Sequence, residues 1–82
     1  MDILDLRQLG QHARWVREQA GLTQAEVARR IGSSQPNVSA AERGLDTRHA
    51  RVAVRVIEDI GNQTVHRPLY GISDERPDAN GR

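Results

Sequence analysis

Apolar residues recur along the first half of the chain at helical spacing. Leu9, Ala13, Val16 and Ala20 fall at i, i+4, i+7 and i+11, the period of a helix with one buried face, and Gly21 follows as a stop. This predicts a first helix over 5–20. Thr23 is a good N-cap, Glu26 three residues later completes a capping box, and Val27, Ala28 and Ile31 form a short apolar stripe before Gly32. A second, short helix follows from that. Ser33 and Ser34 offer the next cap, Pro36 is tolerated only within a first turn, and Val38 and Ala41 point inward before Gly44. The third helix is therefore placed over 35–43. Leu45 is expected to close over the core.

Val52, Ala53, Val56, Ile57 and Ile60 predict a fourth helix over 48–60 with a broad apolar face, ended by Gly61 and Asn62. Beyond it, 64–72 carries Val65, Leu69, Tyr70 and Ile72 but is broken by Pro68 and Gly71. An edge strand or docked arm fits this pattern better than a helix. Residues 73–82 have charges, proline and glycine without a sizeable apolar residue, the composition of a disordered tail. The division is thus a helical domain over 1–61, an extended arm over 62–72 and a tail over 73–82. No internal repeat or low-complexity run interrupts it.

Eighty-two residues suffice for one small core and leave little room for an enzyme with a deep pocket. There is no cysteine, and His12, His49 and His66 are scattered, so neither disulfides nor a zinc cluster is expected. No cofactor is expected either. No nucleophile is paired with a base, no carboxylates form an acid–base set, and no glycine loop could cradle a phosphate, which argues against an enzyme. The start of the chain lacks a basic region followed by an apolar run, and no stretch approaches the ~20 apolar residues of a membrane span. The expectation is a soluble, cytoplasmic protein.

Net charge is only +1, but it is unevenly spread. From Leu6 to Ile57 nine arginines face four acids, an excess of five, while the other acids lie toward the ends. All the basic residues are arginine, whose planar fork suits phosphate and guanine, although a chain without lysine can equally reflect genomic base composition.

Two short helices joined by a tight turn can be held nearly perpendicular, presenting the second to a major groove. Gly32 and the paired serines supply such a turn. Ala28, Val38 and Ala41 are small enough for close approach, while Gln35, Asn37, Ser39 and Arg43 are left facing outward with hydrogen-bonding groups.

Leu9-Gly10, Ala13-Arg14, Arg17, Gly21-Leu22-Thr23-Gln24, Val27-Ala28, Ile31-Gly32, Val38-Ser39 and Glu42-Arg43-Gly44, taken in one register, resemble the phage repressor and Cro-like helix-turn-helix family. The likeness covers about residues 9–61. It implies an all-α, compact four- to five-helix domain of the lambda-repressor type, here with a short extended C-terminal arm, whose third helix enters the major groove. It also implies operator binding as a homodimer. Carried across, Gln24 would bind a phosphate and brace Gln35, which would read an adenine or otherwise the outer base of a half-site. Asn37 and Ser39 would be further groove contacts and Ala40 would touch a thymine methyl. Thr23, Arg43 and Arg48 would hold the DNA backbone, and Arg17 with Glu42 would join the first helix to the third by a salt bridge. Pro36 departs from the family, which often has a polar reader there.

Trp15 lies on the side of the first helix opposite Leu9, Ala13 and Val16, in a stripe with Leu4, Gln8 and Gln11. Three outcomes are open: cover by Leu69 and Tyr70 folding back within the chain, a homodimer contact, or simple exposure. The arm residues Val65, Leu69, Tyr70 and Ile72 are candidates for the same dimer or partner contact. The leading functional expectation is a small transcriptional regulator of a phage, mobile element or bacterial operon that binds double-stranded DNA, with polymerase or a co-regulator as a further partner. The competing one is an antitoxin that neutralises a toxin through its C-terminal arm.

Overall fold

The computed structural model describes residues 2–66 and 70–73. Its second and third helices begin where the caps predict. Helix α1 spans Leu6–Gln19 and is opened by Asp5, whose carboxylate accepts from the Gln8 backbone N–H while the Gln8 side chain accepts from that of Asp5. Helix α2, Gln24–Ile31, has the same reciprocal box between Thr23 and Glu26 and ends on Gly32 at a left-handed φ of 70°. Helix α3, Gln35–Arg43, is capped by Ser34, holds Pro36 in its first turn, and ends on left-handed Gly44. In each, side chains satisfy N–H groups that a helix start leaves without partners.

The fourth predicted helix is less regular. A 3-10 turn, Thr47–His49, leads into α4, Ala50–Arg55, which widens into a π turn, Val56–Ile60. The Gly61 N–H bonds the carbonyls of both Val56 and Ile57, at 3.3 and 3.1 Å, marking that widening. Asp46 starts the 3-10 turn by accepting from the His49 N–H and from its Nδ1.

Leu9, Val27, Ile31, Val38, Val56 and Ile57 are the largest fully buried side chains, and the core around them contains Ala13, Val16, Ala28, Ala41, Ala53 and Val54. Gly10 permits its tightest helix crossing. A Cβ there would collide with the carbonyl oxygens of Ala41 and Glu42, so α1 can lie directly on α3 only with glycine at this position.

A three-stranded antiparallel sheet closes the domain, in the order β1 (Asp2–Ile3), β3 (Gly71–Ser73), β2 (Thr64–His66). Val65 pairs with Ile72 and Asp2 with Ile72 on the other side. The all-α class with a short extended C-terminal segment holds, but the chain's first residues join that segment, a strand that no periodicity announced. Tyr70, at φ 49°, supplies the turn before β3.

Two expectations are corrected by this packing. Leu45 does not close over the core: Gly44 turns the chain so that Leu45 is 70% exposed, beside Arg7, Gln11, Arg14 and Arg43. Tyr70 does not cover Trp15, because the sheet delivers it to Thr47, Ala50, Arg51 and Val54 instead. Trp15 is 53% exposed and lies over the His12 ring, with centroids 5.7 Å apart. Val65 is buried inside the domain, and Tyr70 and Ile72 pack partly against the same core, so these three serve the fold of one chain before any partner. Of the tail expected over 73–82, Ser73 ends β3, while Leu69 and residues 74–82 lie outside the described residues.

Candidate nucleic-acid interface

One continuous chain of hydrogen bonds ties the three N-terminal helices together. Arg17 on α1 donates through Nε and Nη2 to the two carboxylate oxygens of Glu42 on α3, at 2.6 and 3.1 Å, and through Nη1 to the Leu22 carbonyl at 2.9 Å. Gln24, the first residue of α2, donates to Glu42 Oε1 at 3.0 Å, and its own Oε1 accepts from Gln35 Nε2 at 2.6 Å. The ion-paired side chains are nearly enclosed, 14% exposed for Arg17 and 6% for Glu42. Its hydrogen bond to Glu42 raises the Arg17 pKa further, against the opposing effect of burial. A planar fork on a carboxylate fixes direction as well as distance, so α3 has a defined angle to both α1 and α2.

Thr23, Gln24 and Gln35 come together where α2 and α3 begin. The Thr23 hydroxyl is used in its cap, and the Gln35 carbonyl oxygen is left for an outside donor among the described contacts. Asn37 is exposed, but its amide turns back to Ser33 Oγ at 3.3 Å. Ser39 and Ala40 are half-exposed on the outer side of α3, Arg43 stands at its end, and Arg48 is exposed on the 3-10 turn. Neither arginine has a salt-bridge partner among the described residues.

The groove that Arg43 enters also contains Arg7, Gln11 and Arg14. From the sequence, Gln11 is placed only in the Trp15 stripe and Arg7 only in the charge count, although positions 7, 11 and 14 recur at i, i+4 and i+7 on the exposed side of α1. Beside Arg48, the Asp46 carboxylate is held below its ordinary pKa range chiefly by the His49 side chain. Among the described residues no cluster of three or more histidines and acids could hold a metal, and no described helix is long and apolar enough to cross a membrane.

Searches of curated proteins and of solved structures return no match to this chain. A family model described as a helix-turn-helix domain does match, over residues 8–61, the stretch that contains all but the first two residues of α1, then α2 to α4, and the bonded chain from Arg17 to Gln35. The protein belongs to the helix-turn-helix domain family, a domain that points to a DNA-binding regulator.

Proposed function

We propose that the protein is a sequence-specific regulator of transcription of the phage repressor and Cro-like type, acting as a repressor that binds an inverted-repeat operator as a homodimer. The observation that carries this reading is the bonded chain Arg17–Glu42–Gln24–Gln35, which fixes the first residue of α3 against α2 before any DNA arrives. Pre-set readers lose less freedom on binding, so more of each contact is expressed as affinity. Gln35 reads the outer base of a half-site through its free carbonyl and remaining N–H, and Asn37, Ser39 and Ala40 complete the reading surface. Gln24, Thr23, Arg43 and Arg48 hold the phosphates. In the homodimer the two α3 helices sit about 34 Å apart, one turn of the duplex. Trp15, the largest exposed apolar side chain, is the candidate for the contact between copies.

Selection from random duplexes followed by footprinting tests this. The expected product is a palindrome, and Gln35→Ala should lose discrimination at one symmetric pair of positions, by roughly tenfold for a bidentate contact. Retention of the full preference by that variant would remove Gln35 from the reading surface. Affinity should also fall steeply with salt, and Arg43→Ala should lower the slope by about one.

A further inference from the structure

The side of α3 that faces away from the core is not where its amides are. At about 100° per residue, Val38 and Ala41 mark the buried side, and the positions opposite them are Pro36 and Arg43, with Ser39 and Ala40 to either flank. Gln35 and Asn37 sit toward the edges, where one is held by Gln24 and the other by Ser33. Over its first two turns, the outermost side chain of the helix is therefore the Pro36 ring, flanked one turn further on by Ala40 on one side and the Ser39 hydroxyl on the other. On the Ala40 side the surface is apolar, since neither Pro36 nor Ala40 has a side chain that can donate or accept a hydrogen bond.

On the major-groove edge of a base pair, the donors and acceptors need polar partners, and the 5-methyl group of thymine is the one apolar feature. We propose that Pro36, with Ala40 beside it, is a specificity-determining residue that reads pyrimidine 5-methyl groups, so that the protein separates thymine from uracil and 5-methylcytosine from cytosine. This rests on the DNA-binding reading given above. The two side chains are about 5–6 Å apart at i, i+4 spacing, close enough to enclose one methyl or to touch those of neighbouring base pairs. The rigid ring loses no rotamer freedom on contact. Pro36 also costs the helix nothing, because its missing N–H falls in the first turn.

The test uses the full chain and the duplex that selection enriches. Each thymine is replaced singly by deoxyuridine, and each cytosine by 5-methylcytosine, with affinity read by fluorescence anisotropy. Loss of one buried methyl should weaken binding roughly fourfold at one or two pyrimidines of each half-site. Where cytosine is substituted for such a thymine, methylating it should recover most of that factor. Pro36→Gln, at an exposed position, and Ala40→Ser, at a half-exposed one, are checked for folding by circular dichroism. At least one should bring the thymine-to-uracil ratio at its position to about one, whereas a merely structural loss would lower both affinities together. A ratio of one at every pyrimidine in the unaltered protein overturns the inference while leaving sequence-specific binding intact. So does a ratio that neither variant changes. If no sequence is enriched, the inference falls together with the proposed function.

Discussion

Glu42 has three claims on its two oxygens: Arg17 twice and Gln24 once. Its removal would leave the Arg17 guanidinium almost enclosed with only the Leu22 carbonyl for company. Breaking an enclosed pair costs more than never having made it, because the stranded charge keeps its desolvation penalty. Glu42→Ala is accordingly expected to lower stability by roughly 3 kcal/mol, whereas the double change Arg17→Met with Glu42→Leu should recover most of that loss. Thermal and urea unfolding of both variants decide the matter. An equally unstable double variant would mean that the pair itself, rather than the stranded arginine, holds the fold. Much at this scale was legible beforehand. Gln24, Gln35, Arg17 and Glu42 were placed by register, and each now has a bond to another of the set. The direction of the Asn37 amide was not legible, because a bond back to the turn and a bond outward suit the same residue. Leu45 was misread because an apolar residue after a helix stop looks like a core plug, and only the left-handed turn at Gly44 shows that it points out.

The helices α2 and α3 are legible in the sequence because three independent signals agree in each, a capping residue, a 3.6-residue apolar period and a terminal glycine, whereas α1 rests on its apolar period and the Gly21 stop. Agreement of this kind is absent after Gly44. There, 3-10, α and π turns succeed one another, and a single apolar face is compatible with all three. The sheet escaped for a related reason, since strands of two and three residues are too short to show alternation. The caps also give the helices a dependence on pH. Glu26 is held below its ordinary range first by the Thr23 backbone N–H and then by the Thr23 hydroxyl, and Asp46 first by the His49 side chain. A depressed carboxylate binds protons more weakly in the folded state, so its contribution is complete above the unfolded value. It is lost as pH falls through the folded one. The melting temperature should therefore show no loss from these two groups above about pH 5 and should decline below roughly pH 4.5. Glu26→Gln combined with Asp46→Asn should flatten that decline. An unchanged slope would show that other carboxylates govern acid unfolding.

At the scale of the whole molecule, α3 and the sheet draw on the same core but are separated in the order of the chain. Contacts among α1, α2 and α3 close short loops, whereas pairing Asp2 with Ile72 must bring together almost the full described length. Loop-closure entropy grows with that span, so the helices and the local β2–β3 pairing have the smaller barrier to assembly and the β1–β3 pairing the larger. The helical part is expected to form before β1 joins the sheet. In native-state hydrogen exchange, the amides of β3 should open by a local route, well before those of Val16 and Val38 on the buried helix faces. Equal protection throughout would mean that the domain opens only as a unit. If strand opening is local, the sheet behaves as a clasp: both ends of the domain can come undone together while α2 and α3 keep their angle, leaving bound DNA undisturbed as the clasped segments exchange partners.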